Sequence, residues 1–129
     1  MTQNNFTAPV LLGEPTGYYA DAVSESALAG SNDLYLYAPP GLAWRVMRVV
    51  ALNATADRTG SMVISVPYPY YYNAWSSHGG PFTPRSVDCD VLLVGGEGVG
   101  ANWAGCELDD LLYLYAFGYL YPVPGLIYT

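Results

Sequence analysis

Apolar and polar positions along this chain recur with a period of two, most fully in the stretch Leu111 to Tyr121. Successive side chains of an extended strand leave on opposite faces. That puts Leu112, Leu114, Ala116, Gly118 and Leu120 on one side and Tyr113, Tyr115, Phe117, Tyr119 and Tyr121 on the other. Wound as a helix, the same residues would spread leucine and tyrosine around the whole cylinder. The β-formers, closed by Pro122 and Pro124, predict a strand instead. The aliphatic row suits a core shared with a facing sheet. The aromatic row is apolar too and needs its own cover: a second layer, another subunit or a ligand.

Shorter runs repeat the pattern. Tyr18 to Ser26 reads as a strand, Ser31-Asn32-Asp33 as a turn, and Leu34 to Tyr37 as a strand ended by Pro39-Pro40-Gly41. Trp44 to Leu52 is a second long strand. Its Arg45 and Arg48 fall on opposite faces unless a bulge separates them, or one guanidinium is paired with a carboxylate at an interface. Asn53 to Thr59 reads as a polar hairpin loop before a strand with Met62, Ile64 and Val66 inward and Ser61 and Ser65 outward. Prolines make Pro67 to Trp75 a loop that Ser76 to Pro84 extends, and loops of that length tend to be functional. Val87, Cys89, Val91 and Leu93 alternate with Asp88 and Asp90. After the glycine-rich run Gly95 to Gly100, Ala101 to Gly105 and Cys106 to Asp110 lead into the final strand. With no convincing long helix and no internal repeat, the prediction is an all-β fold, an antiparallel β-sandwich or jelly roll of about seven to eight strands. It forms a single domain over 18–129 behind a flexible N-terminal arm at 1–17.

Charge then restricts the partners. Charged residues are 12% of the 129, there is no lysine, and Arg45, Arg48, Arg58 and Arg85 stand against eleven acids for a formal net charge of −7. Without a cluster of cations, binding of nucleic acid through phosphates and of anionic membranes is excluded. Hydrophobic content of 52%, with 13 Tyr and 3 Trp, implies that part of the surface is buried against other chains. The start Met1-Thr2-Gln3-Asn4-Asn5-Phe6 lacks the features of a secretory signal, and no stretch is long enough to span a bilayer. Cys89 and Cys106 are expected as thiols.

Candidate chemistry is sparse. Gly96-Glu97-Gly98-Val99-Gly100-Ala101 follows an apolar strand and fits a relaxed dinucleotide fingerprint. However, Asn102-Trp103-Ala104-Gly105 is a poor helix start, so a glycine-rich turn or bulge is expected and no cofactor. Asp88, Asp90, Glu107, Asp109 and Asp110 could ligate Ca²⁺ or supply an acid and a base, but they lack EF-hand spacing and are expected as a solvated strand edge. His78 is the only histidine, no nucleophile elbow accompanies it, and it is expected exposed on its loop. These readings predict no catalytic or metal site. Tyr68, Tyr70, Tyr71, Tyr72 and Trp75 are the one feature above background. They could form a protein interface, pack on their own sandwich, or stack on sugar faces.

Tyr37-Ala38-Pro39-Pro40-Gly41-Leu42-Ala43-Trp44-Arg45-Val46-Met47-Arg48-Val49-Val50-Ala51-Leu52-Asn53 resembles the small β-sandwich structural proteins of tailed bacteriophage virions. In these a tyrosine strand, a Pro-x-Gly turn and a strand rich in Arg and Val precede a polar hairpin like Ala54 to Thr59. The resemblance covers about the first half of the chain. The Tyr/Pro loop from Pro67 and the lack of lysine depart from it. It implies a non-enzymatic decoration, neck or fibre component, made in a host cytoplasm, located in the virion, and partnered by its own copies and other virion proteins. Tyr113, Tyr115, Phe117, Tyr119 and Tyr121 would be buried under a neighbour, with Tyr68 to Trp75 and the arm clamping adjacent subunits. The competing expectation is a carbohydrate-binding module or lectin that takes host glycans on Tyr70, Tyr72 and Trp75.

Overall fold

In a computed structural model the described residues are 15–122, without 56, 57, 69, 80 and 82 and without the side chains of Tyr71 and Tyr72. The period-two pattern becomes β1 (Gly17–Ser26), β2 (Gly30–Tyr37), β3 (Leu42–Asn53), β4 (Met62–Ser65), β5 (Tyr71–Trp75), β6 (Arg85–Leu93), β7 (Gly98–Cys106) and β8 (Leu111–Pro122), with no helix among the described residues. They form two four-stranded sheets, ordered β1-β8-β3-β6 and β2-β7-β4-β5. The antiparallel pairs β1·β8, β2·β7, β3·β6 and β4·β5 are those of one long hairpin with its tip at β4–β5. Rolling that hairpin sends successive pairs to alternate sheets, and β3·β8 and β4·β7 then join the pairs within each sheet. This nested order is a jelly roll. The arm expected at 1–17 is outside the described residues as far as 14. Thr16 already donates its backbone N–H to Leu120 O at 2.7 Å, and Gly17 opens β1.

The core lies between the sheets. Trp44, Val46, Val49, Leu93, Leu112, Leu114 and Ala116 meet Leu34, Leu36, Met62, Ile64, Val99 and Trp103 there, all buried. As the alternation predicts, β8 turns its aliphatic row inward, and it sits between β1 and β3 rather than at an edge. Gly118 has a structural reason of its own, because a Cβ there would run into the Arg45 carbonyl oxygen and the Val46 Cα of β3.

Register settles the problem of the two arginines. The pairing of β3 shifts between Val46 and Arg48 against both neighbours, so Met47 is an inserted bulge residue. Trp44 and Val46 point inward before it, and Val49, Ala51 and Asn53 after it. Arg45 and Arg48 therefore share the outer face, and Val50 and Leu52, which strict alternation with Trp44 would bury, join them.

Several local expectations are corrected. Ser31-Asn32-Asp33 lies within β2, and the turn comes earlier, where Asn32 side-chain atoms bond Leu28 N and O at 3.0 and 2.8 Å. Asn53 to Thr59 is not a hairpin loop, since β3 and β4 belong to different sheets. Ser65 is buried rather than outward, after a register shift between Ile64 and Ser65. The loop expected over Pro67 to Trp75 contains β5. Pro67 precedes the strand, so Tyr71 to Trp75 are free to pair with β4 along the sheet edge. Gly98 begins β7 and no helix follows the Gly96–Ala101 run, which removes the amide cradle that a dinucleotide fingerprint requires.

Replacing Gly118 by Ala is expected to destabilise the fold by roughly 1–3 kcal/mol, because main chain rather than a flexible side chain blocks the added methyl. Urea unfolding checks this, with an unchanged midpoint as the contrary result.

Candidate functional site

The outer face of the first sheet carries the aromatic row. Register sets Tyr119, Phe117, Tyr115 and Tyr113 of β8 opposite Tyr18, Ala20, Ala22 and Ser24 of β1, and on the other flank opposite Arg45, Arg48, Val50 and Leu52 of β3. The rings form a ladder. Tyr113 stacks on Tyr115 at 5.9 Å and 2°, Tyr115 stacks on Phe117 at 6.4 Å and 12°, and Tyr119 meets Tyr18 edge-on at 5.5 Å. Tyr113, Tyr115 and Phe117 are half-buried by their neighbours in the sheet, while Tyr119 is 40% and Tyr18 63% exposed. Tyr121 lies against the Arg45 guanidinium and is buried within its own domain. The small residues of β1 leave a hollow of about 120 Å³ beside Tyr113 and Tyr115.

The charges of this face cancel. Arg45 donates from Nε and Nη2 to both oxygens of Asp90, each at 2.7 Å, and Arg48 donates from Nε to Asp88 Oδ1 at 2.8 Å. Asp90 is held below the usual carboxylate range, first by its hydrogen bond from Arg45. Both aspartates stand on β6, an edge strand, as the edge reading of the acids requires. A larger groove, about 470 Å³, opens beside the Met47 bulge between Tyr18, Phe117, Tyr119, Arg48 and Asp88.

The other aromatic group lies on the opposite sheet. Tyr68 sits edge-on to Tyr35 at 4.7 Å, Tyr35 stacks loosely on Tyr37 at 6.2 Å, and both Tyr35 and Tyr68 lie over Gly100, where a side chain would displace them. A hydrogen bond with Tyr68, and after it burial, pushes the Tyr35 phenol above its ordinary range. Tyr70 is exposed, whereas Trp75 is half-buried against the core. Tyr71 and Tyr72 belong to β5, and their side chains are outside the described residues. Among the described rings, the ladder and the Tyr35–Tyr68 group therefore lie on opposite sheets of the sandwich, with Trp75 turned toward the core. Tyr18 joins the ladder through cross-strand pairing with Tyr119, and Tyr35, followed along β2 by Tyr37, joins the second group by contact with Tyr68 before β5, long-range relations that period-two patterning does not carry.

His78 is corrected from exposed to fully buried. Its Nε2–H donates to the Ala104 carbonyl at 2.6 Å, which leaves Nδ1 to accept from Asn53 Nδ2 at 3.3 Å. Asn53 Nδ2 also donates to Asp110 Oδ2 at 3.0 Å. Asp110 further accepts the Arg58 fork at 2.8 and 2.6 Å and the Glu107 backbone N–H at 3.0 Å. Asp110 is thus no part of a solvated edge: it is buried because its charge is matched by a guanidinium and two N–H donors. None of the partners of His78 is a nucleophile, and the network ties together β3, β7 and three connections. Among the described residues no three His, Cys, Asp or Glu side chains gather as metal ligands, and no helix is long and apolar enough to cross a membrane. Cys89 and Cys106 are unbridged, and burial pushes the Cys89 thiol up to about 11.

Fold and surface together define the class: a jelly-roll β-sandwich with a charge-balanced aromatic outer sheet. No protein-family model and no curated protein matches the sequence. Among solved structures the chain is similar to dimeric latent PorU from Porphyromonas gingivalis, at 10% identity and a TM-score of 0.34 over 81% of this chain. It spans 13% of the PorU chain.

The Asp110 carboxyl is held well below its ordinary range, above all by Arg58, with burial opposing. A depressed folded-state pKa contributes stability that is complete above the unfolded value of about 4 and is lost as pH falls below it. Asp110→Asn is expected to cost roughly 3 kcal/mol at pH 7, and to flatten part of the fall in stability from about pH 4 to 2. Urea unfolding at several pH values checks both, and an acid limb identical to the wild type's contradicts the assignment.

Proposed function

We propose that this chain is a non-enzymatic structural protein of the virion type, which assembles by seating the outer face of its first sheet on neighbouring copies. The observation that carries this reading is the charge-balanced aromatic ladder. The chain has a net charge of −7, yet Arg45, Arg48, Asp88 and Asp90 cancel on that face. Two copies can therefore approach there without opposing their excess negative charge. The half-buried rings and the hollow beside Ala22 and Ser24 supply apolar area and relief for interlocking side chains.

The size of the face is of the same order as one side of a standard interface. Four strands about 4.8 Å apart and roughly ten residues long, at about 3.3 Å each, present a projected area of roughly 600 Å². A standard interface buries about 800 Å² of accessible surface per partner. Jelly rolls serve as capsid proteins and as lectins, so fold-level analogy supports the virion reading without singling it out.

Light scattering across a dilution series tests the proposal. A discrete oligomer is expected for the wild-type chain, and a folded monomer for Tyr113→Ser combined with Tyr115→Ser, with its circular dichroism retained. A monomeric wild type at every concentration contradicts self-assembly. Loss of folding in the double variant places those rings in the structural core rather than at an interface.

A further inference from the structure

The groove beside the β3 bulge differs from the rest of the face in presenting solvent-exposed polar groups not fully engaged with each other next to exposed rings. Arg48 uses only Nε on Asp88, and Asp88 only Oδ1, so among the described residues both Arg48 Nη groups and Asp88 Oδ2 have no partner. The neighbouring Arg45–Asp90 pair, by contrast, is closed through both oxygens. Tyr18 and Tyr119 meet edge-on at 5.5 Å and 79° along one side of the groove, and Phe117 and Met47 also line it. Its volume of about 470 Å³ falls within the roughly 300–1,000 Å³ of small-ligand sites.

We propose that this groove binds a neutral glycan, with a pyranose ring stacked on Tyr119 or Tyr18 and vicinal hydroxyls engaging Arg48 and Asp88. The C–H face of a sugar carries slight positive charge and packs against the negative face of an aromatic ring. Each hydroxyl both donates and accepts, so a vicinal diol can give a proton to Asp88 Oδ2 and accept one from an Arg48 Nη. An anionic ligand is disfavoured because Asp88 already neutralises Arg48 and the chain carries −7. A wholly apolar ligand would cover the free guanidinium and carboxylate atoms without satisfying them. An extended peptide would seek a strand edge for backbone pairing, whereas this groove lies on a sheet face over β8, an interior strand. Every group in the site comes from one chain, so the proposal does not rest on self-assembly; because the groove lies on the face that assembly would cover, binding is read by titration and assembly separately by light scattering.

The full-length chain, applied to an array of neutral glycans and then titrated with the best-bound oligosaccharide by calorimetry, tests the proposal. Saturable binding is expected, weakened at least about tenfold in Tyr119→Ala and in Arg48→Ala. Tyr70→Ala, on the other sheet, should bind as the wild type does. Tyr18→Ala provides a second aromatic variant at a more exposed position, and thermal melting confirms that each variant folds. Absence of saturable binding on the array overturns the proposal. So does binding that survives both groove substitutions, loss of binding in Tyr70→Ala alone, or a preference for polygalacturonate over neutral sugars.

Discussion

Met47 is the extra residue that β3 inserts where it meets Phe117 and Gly118 of β8, and by reversing the inward phase of the strand it lets one segment serve two demands. The core needs Trp44 and Val46 on one side of the insertion and Val49 and Ala51 on the other, all facing the second sheet. Without the bulge, one guanidinium would be driven between the sheets. An uncompensated buried charge there would cost more than the fold could sustain. With it, Arg45 and Arg48 share the outer face and reach Asp90 and Asp88 on β6. Gly118 lies at the same crossing and lets the two main chains approach closely. The groove lined by Met47, Tyr18 and Tyr119 opens beside this crossing.

A second constraint acts at the end of β3. Asn53, His78, Arg58 and Asp110 come from four separate segments and saturate one another in the interior. Such a network rigidifies because any member left alone would be a buried, unpaired polar group. It anchors connections that would otherwise lie loosely over the end of the sandwich. The ladder and the groove are thus carried on a sheet supported by a packed core and by a satisfied polar knot.

These two supports give the outer face its character. It is apolar and ringed with aromatics, yet electrically balanced in a strongly acidic protein, which suits contact with like chains. Where the groove opens on the face, the unused valences of Arg48 and Asp88 suit a hydroxylated ligand. Assembly and recognition of neutral glycans would then use adjacent parts of one sheet, the ladder around Tyr113 and Tyr115 and the groove around Tyr18 and Tyr119.

Alternation alone determined that the chain is all β, that Leu112, Leu114 and Ala116 face inward, and that the aromatic row of β8 faces out. Side-chain direction along one strand follows from local backbone geometry, so neighbouring residues suffice to read it. It also marked the arginine problem in β3 and named a bulge as one answer. What the residues could not disclose was register and sheet membership: that β3 and β4 lie in different sheets, that β5 forms after Pro67, and that Tyr18 meets Tyr119 from the far end of the chain. The burial of His78 is hidden from the sequence for the same reason, since its partners Asn53 and Ala104 come from distant strands. Pairings between distant segments are chosen by packing of the whole sandwich, and only the tertiary structure decides them.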